Sequence, residues 1–258
     1  YPFSSYKLLA HDIKADIDYK VHGFEDLRLH ATLGADISKG RQNQSFAPSC
    51  TKALYYGNYG GEEILKRNLT LSAYAQYYKD FDKNHHFDIM AGYEWQHFWR
   101  SKNYDYVGYY PKTNDDASLA GTERPHTPFS EKSESYLVSF FGRANYTLMD
   151  RYFLTATVRD DGSSRFKKHW AWFPSFAFAW KINEENEWKK IKWLSDLKLR
   201  LGYGLTGQQA GSIGDYEWIP SYAISTGTNG FYPILGKGEL YRPNNYRPEL
   251  KWETTTTY

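Results

Sequence analysis

The sequence is dominated by a two-residue alternation of apolar and polar side chains that returns eight times along its 258 residues. In the clearest copy, from 27 to 37, leucine, alanine and isoleucine alternate with polar or small residues. Successive side chains of an extended strand point to opposite faces, so each copy predicts a strand with one apolar and one polar face. The predicted strands are 13–21, 27–37, 68–77, 87–96, 136–147, 152–159, 175–182 and 197–204, with a ninth beginning near Leu250 and Trp252.

Strand length and aromatic placement favour a membrane protein over a soluble all-β domain. The alternating runs hold about 9–11 residues, which a tilted strand needs to cross a bilayer, whereas soluble strands average about 5–6. Aromatic residues make up 19% of the chain and mark both ends of the apolar rows, as two headgroup layers select. They are Tyr19, Tyr77, Tyr146, Tyr152 and Trp180 at one end, and Tyr93, Trp95, Tyr136 and Tyr203 at the other.

The connections alternate between short and long, which is the pattern of outer-membrane barrels with short periplasmic turns and long extracellular loops. Short turns are predicted at 22–26, 78–86, 148–151 and 183–196, and long loops at 38–66, 98–134, 160–174 and 206–249. The predicted fold is therefore all-β, an antiparallel transmembrane β-barrel segment. Because an isolated slice would leave unpaired edges in lipid, we expect eight to nine strands of a larger barrel.

Charge and cysteine content narrow the remaining classes. Lys and Arg number 32 against 30 Asp and Glu, so the net charge of +2 gives no basic surface for nucleic acid. Cys50 is the single cysteine, which excludes an internal disulfide. No apolar run reaches about 18 residues, and Tyr1–Ser5 does not resemble a signal peptide. We therefore expect residues 1–258 to be a middle portion of one exported barrel domain.

A succession of motifs is more specific than the alternation. These are RDDGSSRF at 159–166, WFPS at 172–175, WKI at 180–182, LSDLKLR at 194–200, TGQQ at 206–209 and LKWET at 250–254. In this order they resemble the barrel of the SusC/RagA family of TonB-dependent outer-membrane transporters, most specifically over 134–258 and more loosely over 11–97. Three positions depart from the family pattern: Ala179 and Gln208 stand where glycine and asparagine are commoner, and Lys181 where arginine is.

This resemblance implies a 22-stranded barrel in the outer membrane of a Bacteroidota-type Gram-negative bacterium. It implies active import of oligosaccharides or oligopeptides, with TonB supplying energy and a SusD-like surface lipoprotein closing the mouth. The N-terminal plug and the C-terminal strands are expected outside this chain. No catalytic residue, metal or cofactor is expected. A passive porin or structural barrel, and a secreted glycan-binding β-protein, remain as alternatives.

Two sets of residues are candidates for contact with cargo. Charged residues at the polar positions of the strands are expected to line the lumen. They either bind the plug or cargo, or simply give a water-filled lumen a polar wall. They are Arg143, Arg159, Lys181, Lys198 and Arg200. Aromatic residues in the long loops are expected to stack on sugars or grip side chains, although they could equally pack the loops or meet a partner protein. They are Trp99, Tyr104, Tyr106, Tyr109, Tyr110, Trp170, Trp172, Trp218, Tyr222, Phe231 and Tyr232.

Other motifs receive structural interpretations. Gly162 is expected to take a positive φ in a turn, with Asp161 and the following serines bonded to local backbone. A phosphate cradle there would lack the following helix. The pair His85-His86 is expected in a solvated turn, because adjacent strand residues point apart and chelate poorly. Two acid pairs, at 115–116 and 160–161, lack the desolvated setting that glycoside hydrolysis needs.

Overall fold

The structure is a computed structural model. It describes residues 3–47, 58–105, 107–109, 122–124, 129–185, 188, 196–209, 214–225, 232–233 and 240–258. Within these ranges, no helix has the length and apolar character that crossing a membrane requires. The described elements are strands and one short 3-10 helix, Ile182–Glu184. The prediction of an all-β fold is confirmed.

The strands run Phe3–Lys20 (β1), Leu27–Phe46 (β2), Asn58–Asp80 (β3), His85–Tyr104 (β4), Val107–Tyr109 (β5), Glu123–Arg124 (β6), Phe129–Leu148 (β7), Tyr152–Ser163 (β8), Trp170–Lys181 (β9), Lys198–Gln208 (β10), Tyr222–Ser225 (β11), Tyr232–Pro233 (β12), Leu240–Pro243 (β13) and Glu253–Thr257 (β14). To within one residue at their ends, all eight alternating segments lie in β1–β4 and β7–β10, and the predicted ninth strand corresponds to β14. Hydrophobic periodicity therefore found every long strand.

Sequence neighbours pair in the main sheet, whose order is β1-β2-β3-β4-β7-β8-β9-β10-β14. The pairs β7–β8, β8–β9, β9–β10 and β10–β14 are antiparallel. The β7–β8 connection is a tight turn at Met149 and Asp150, both with φ of 53°, closed by the Arg151 amide donating to the Leu148 carbonyl at 3.1 Å. Two consecutive positive φ values match the twist of a hairpin, so the short turn predicted at 148–151 is confirmed.

Contacts group the chain into two compact units. The first comprises 1–15, 33–70 and 96–134, and the second comprises 16–32, 71–95 and 135–258. The second holds β8, β9, β10 and β14 together with the small three-stranded sheet β11-β13-β12. Each unit is described by itself below.

The predicted strand lengths are wrong for the longest strands, which hold 18 to 23 residues. Strand β2 continues through Ser38–Phe46, where polar residues occupy both parities. In the first unit, Lys39 pairs with Glu63 at 3.1 Å and Arg41 pairs with Asp105 at 3.3 Å. Backbone ladders and cross-strand ion pairs can extend a strand without an apolar face, so the alternation ends before the strand does.

The predicted long loop at 160–174 is also wrong, because β8 continues to Ser163 and β9 begins at Trp170. Gly162 lies within β8, and it does not have the positive φ expected of a turn glycine. A Cβ on Gly162 would lie 2.9 Å from the Trp170 ring. Glycine is therefore needed at this position for close approach of an indole rather than for backbone freedom.

The rest of this motif packs a small core in the second unit. Phe166 has no exposed surface, and its ring lies 5.4 Å from the ring of Trp252. Phe173 meets the same indole edge-on at 5.6 Å. The Trp252 Nε1 donates to the His169 carbonyl at 3.1 Å, so the indole is satisfied as well as buried. Sequence reasoning did not predict this cluster.

Ser163 bonds the local backbone as expected, whereas Ser164 bonds the backbone of strand β7. The Ser163 Oγ accepts from the Arg165 amide at 3.2 Å, and the Ser164 Oγ accepts from the Tyr136 amide at 2.9 Å. Asp161 does not follow the expectation, because its carboxylate accepts from the Arg159 side chain at 2.7 Å. The motif thus fastens the β8–β9 connection to strand β7.

Candidate functional site: a two-faced wall

Strand register sorts the side chains of β7–β10 onto two faces, because residues directly opposite each other in antiparallel strands share a face. Asn145 stands opposite Thr155, and Lys198 opposite Lys181. We define the polar face of these strands by Arg143, Asn145, Thr155, Thr157, Arg159, Ser175, Lys181, Lys198 and Arg200. The apolar face is defined by Phe140, Ala144, Tyr146, Tyr152, Leu154, Ala156, Phe176, Phe178, Trp180, Leu199 and Leu201.

The apolar face carries one charged residue, Asp160, which stands opposite Phe140 and Trp172. The residues that define the face are uncharged, yet the face is open. Phe140, Phe176 and Leu201 are 52–58% exposed, and neighbouring residues of the same face are exposed to a smaller extent. A row of exposed large apolar residues on adjacent strands would be costly in water. In a bilayer the same row meets hydrocarbon, so the face is suited to lipid contact.

Aromatic residues end this apolar face where the short turns begin. Tyr152 and Trp180 stack with ring centroids 6.1 Å apart. Both donate to Glu185 just after the 3-10 helix, the tyrosine hydroxyl at 2.5 Å and the indole nitrogen at 3.3 Å. Arg151 completes the set at 3.1 Å from the same carboxylate. Rings with an apolar body and a bonded polar tip fit the boundary between lipid and water.

The polar face carries a hydrogen-bonded network across four strands. Asp88 on β4 accepts from Gln76 on β3 at 2.9 Å and from Asn145 on β7 at 3.3 Å. Asn145 in turn accepts from Thr155 on β8 at 2.9 Å and from Arg143 at 3.3 Å. The predicted wall residue Arg143 therefore joins a polar network. Sequence analysis missed Asp88 and Asn145 as its centre, although their parity was visible.

Arg159 makes a second link between strands of the polar face. Its Nη2 donates to Glu94 Oε2 at 2.6 Å and to the Ser139 hydroxyl at 3.0 Å. Its Nε donates to Asp161 Oδ1 at 2.7 Å. Because the charged guanidinium donates all three hydrogen bonds, each is stronger than a hydrogen bond between two neutral groups. The guanidinium is engaged by side chains of its own and neighbouring strands, so Arg159 holds these strands in position and is not a free charge.

Three of the five predicted charges form a separate group at the other end of β9 and β10. Lys181 and Lys198 stand directly opposite each other, and their Nζ atoms lie 5.2 and 4.8 Å from the Phe153 ring centroid. The ring quadrupole offsets part of their mutual repulsion. Arg200 is exposed two residues further along the same face. This group presents positive charge on the polar face.

The predicted aromatic loop at 98–134 begins as strand, not as loop. Trp99 and Tyr104 both lie in β4. Trp99 shares parity with Tyr93 and Trp95 on the apolar row of that strand and lies under Arg67, whose guanidinium carbon is 5.3 Å from the ring. Tyr104 has the opposite parity and lies 4.5 Å below the Lys102 ammonium.

The other predicted cargo residues are scattered over several elements. Tyr109 lies in β5, whereas Tyr106 and Tyr110 lie outside the described residues, as does Phe231. Tyr222 begins β11 and is 60% exposed, and Tyr232 begins β12. Trp218 lies between strands and donates its indole proton to the Ser164 carbonyl at 3.0 Å. Contact with cargo stays a prediction for all of them.

Trp170 and Trp172 lie in β9, so their placement in a loop is corrected. Both have the parity of Phe176 on the apolar face, and Trp172 is 66% exposed. The Trp170 ring stacks on Phe140 at 6.0 Å, crossing strand β8 above Gly162. These indoles extend the apolar face instead of facing the polar one.

The histidine pair lies at the start of a strand and not in the solvated turn that the sequence predicts. His85 and His86 begin β4, where His85 lies 2.7 Å from the Tyr146 hydroxyl and His86 contacts Asp80. Across the described ranges, no group of three or more His, Cys, Asp or Glu could hold a metal ion. The acid pair at 115–116 lies outside the described residues. In the pair at 160–161, Asp160 Oδ1 is buried without a hydrogen-bond partner among the described residues, so the expectation that neither pair is desolvated is wrong there.

Comparisons with known proteins agree with this two-faced wall. Residues 5–258 match the family described as "TonB dependent receptor-like, beta-barrel". The chain is 43% identical over 252 residues to the TonB-dependent receptor SusC of Bacteroides thetaiotaomicron, covering 94% of this chain and 24% of that protein. It is 31% identical over 225 residues to the TonB-dependent receptor P39 of Formosa agariphila, covering 83% of this chain and 21% of that protein.

Solved structures show the same fold. The RagAB peptide transporter aligns with a TM-score of 0.76 at 22% identity, covering 98% of this chain and 28% of that chain. The RagAB peptide importer in its open-open state aligns with the same TM-score, covering 27% of that chain. The chain thus spans about a quarter of the length of its relatives.

Proposed function

Because this chain belongs to the TonB-dependent receptor-like β-barrel family, we propose that it forms part of the wall of an active importer in the outer membrane. The cargo is an oligomeric nutrient, either an oligosaccharide or an oligopeptide. The observation that carries the proposal is the contrast between the two faces. One is apolar and open over four strands, with Asp160 as its single charged residue in the paired stretch, and the other is a hydrogen-bonded polar surface.

The polar face supplies a hydrated wall whose strands are held in place by side-chain hydrogen bonds. The Asp88 network and the Arg159 group tie neighbouring strands through side chains, so the wall stays shaped while water and solute move past it. The positive group of Lys181, Lys198 and Arg200 offers a place for anionic atoms of a plug or of cargo. No covalent step is assigned to any residue.

Among the aromatic candidates, parity favours some for cargo contact over others. Tyr104 lies on the polar parity of β4, and Trp218 and Tyr222 lie between β10 and β13. Trp99, Trp170 and Trp172 have the apolar parity of their strands and are better placed for lipid or a neighbouring protein. We therefore keep Tyr104, Trp218 and Tyr222 as the proposed cargo contacts from this set.

The proposed partners follow from the family. A SusD-like surface lipoprotein would close the extracellular mouth, and TonB would act on a plug encoded elsewhere in the full-length protein. The RagAB structures are of a peptide transporter, and at 22% identity they show the fold of this chain and not its cargo.

Lipid-facing placement is tested with a matched pair of neighbours on β10. Leu201→Cys and Arg200→Cys are made separately in a cysteine-free full-length protein, labelled with a bimane fluorophore and reconstituted into lipid with brominated acyl chains. Bromine quenches fluorophores that touch the acyl chains. We expect strong quenching at position 201 and little at position 200. Equal quenching at both positions contradicts the proposed wall.

Active import is tested in cells that carry the full-length gene or a deletion of it. Growth on oligosaccharides or on oligopeptides should be lost in the deletion strain, while growth on the corresponding monomers is kept. A protonophore should stop uptake of fluorescent oligomer in the wild type, because TonB draws on the proton gradient. Uptake that continues in the presence of the protonophore favours a passive porin instead.

A further inference from the structure

A groove in the first unit is formed by even-numbered residues of β1, β2 and β3, the parity that carries the polar side chains in these strands. It has a volume of about 100 Å³. Its lining residues include Tyr6, Leu8, Ser38, Gln42, Glu62 and Lys66. None of these residues belongs to the predicted cargo set, and none is used by the network around Asp88.

Gly40 makes the groove possible. A Cβ built there would lie 3.4 Å from the Tyr6 hydroxyl oxygen and 3.9 Å from Leu8 Cδ1, so any larger side chain would fill the space between β1 and β3. The Tyr6 ring borders this space with 68% of the residue exposed. An exposed flat ring beside a bare stretch of backbone is a stacking platform.

The opposite wall holds a fixed carboxylate. Glu62 Oε1 lies 2.8 Å from the Lys102 ammonium, and both side chains are 20% exposed. The hydrogen bond to Glu62 raises the pKa of Lys102 above its ordinary value, so the lysine stays charged and holds the carboxylate. Because Glu62 also lines the groove, its carboxylate presents hydrogen-bond acceptors to a ligand there.

The geometry points to a subsite for one sugar ring: we propose that the groove over Gly40 binds a pyranose or furanose unit of an oligosaccharide cargo. One face of such a ring is made of C–H groups and suits Tyr6 and Leu8, while its rim of hydroxyls suits Ser38, Gln42 and Glu62. The proposal rests on the proposed function, because it names the class of cargo of the proposed importer.

Two features favour a sugar over a peptide. The floor strand β2 is hydrogen-bonded to β1 on one side and β3 on the other, so it has no open edge for the main chain of an extended peptide. The carboxylate of Glu62 is also neutralised by Lys102, which leaves a hydrogen-bonding acceptor rather than a net negative charge that would select cationic side chains. Recognition therefore falls to a ring and to side-chain hydrogen bonds.

The test uses the purified full-length protein in detergent and calorimetry with named probes. These are hexasaccharides of an α-1,4-glucan, a fructan, a β-mannan and a xylan, together with a tryptic digest of casein. The variants are Tyr6→Ala and Gln42→Ala, which remove the platform and one hydrogen-bonding group, and Gly40→Leu, which fills the groove. Tyr19→Ala is the matched control, because Tyr19 is an exposed tyrosine of opposite parity on the same strand.

We expect at least one hexasaccharide to bind, with affinity reduced roughly tenfold by Tyr6→Ala and by Gly40→Leu and unchanged by Tyr19→Ala. Gln42→Ala should reduce it by a smaller factor. All variants should keep the β-sheet circular dichroism and heat-modifiable migration of the parent, so that loss of binding is not loss of fold.

The outcomes separate this proposal from the function on which it rests. A hexasaccharide that binds with equal affinity to the parent, Tyr6→Ala and Gly40→Leu overturns the subsite but supports the importer. Binding of casein peptides without any hexasaccharide overturns the sugar class and likewise supports import. If neither class of probe binds and the deletion strain grows normally on all oligomers, both proposals fail together.

Discussion

Arg159 and Glu94 are joined Nη2 to Oε2 at 2.6 Å, although strand β7 lies between the strands that carry them. The arginine reaches over Ser139, which is 1% exposed and accepts from the same nitrogen at 3.0 Å. The side-chain link therefore ties β4 to β8 independently of the backbone ladder. Such a link resists shear between strands, which a barrel wall under load must withstand.

Arg159→Ala should lower the stability of the full-length protein in detergent by about 2 kcal/mol, because Glu94 and Asp161 lose their shared donor. Arg159→Lys should recover only part of this loss, since an ammonium cannot reproduce the planar fork. The measurement is the thermal midpoint of unfolding. Arg200→Ala is the control, because Arg200 lies exposed on the same face, and its midpoint should match the parent. Equal thermal midpoints for Arg159→Ala and the parent would show that this link does not contribute to stability.

Phe166→Ala should cost about 3–5 kcal/mol, because it empties a fully buried site between Phe173 and Trp252. The loss should appear first as proteolytic cleavage of the β8–β9 connection, which this ring anchors. Phe81→Ala is the matched control, since Phe81 is 65% exposed in the turn between β3 and β4. Limited proteolysis that finds both variants equally resistant would show that the small core does not anchor the connection.

The long strands were predictable because their apolar and polar residues alternate, and the alternation reflects different solvents on the two faces. Where both faces are wet, as at Ser38–Phe46, nothing forces apolar residues onto one parity. Strand extensions were for this reason predicted as loops, and Trp99 and Trp172 were placed in loops with them. Neighbouring Lys and Glu residues at cross-strand positions are the signal that could have found the extensions.

The site residues were less predictable because they depend on register between distant strands. The parity of Asp88 and Asn145 was visible, but their contact requires β4 and β7 to be adjacent across a connection of about twenty-five residues. Likewise, Phe166 and Trp252 are far apart in sequence, and only the fold brings them together. The glycine at 162 was misread because close packing and positive φ both select glycine, and sequence alone does not separate them.

Gly207→Ala should destabilise the protein by about 1–3 kcal/mol, because the added Cβ would lie 2.0 Å from the Phe173 ring, which is buried and cannot move aside. Gly202→Ala is a control on the same strand, since the nearest atom to its Cβ would be the Phe176 carbonyl oxygen at 3.9 Å. The same thermal midpoint assay applies. A Gly202→Ala variant as unstable as Gly207→Ala would point to strand conformation rather than to the ring.

The contact between His86 and Asp80, at the turn joining β3 and β4, predicts a pH dependence of stability. The hydrogen bond that His86 donates to Asp80 raises the pKa of His86 above 6.5, and the same bond lowers the pKa of Asp80 below 3.8. A raised histidine pKa stabilises the fold fully below pH 6.5, and this contribution is lost as pH rises through the raised value. A lowered aspartate pKa stabilises the fold above pH 3.8, and this contribution is lost as pH falls through the lowered value.

The pair should therefore contribute most between pH 3.8 and pH 6.5. The difference in thermal midpoint between the parent and Asp80→Asn should be constant in this window and should shrink towards pH 9. His86→Gln should reproduce that profile, because it removes the same pair from the other side. Asp150 lies 3.7 Å from the other ring nitrogen of His86, and its charge also raises the pKa of His86. Asp150→Asn should therefore lower the upper pH limit of this window. A parent–variant difference that does not change between pH 5 and pH 9 would mean that His86 is not the charged partner.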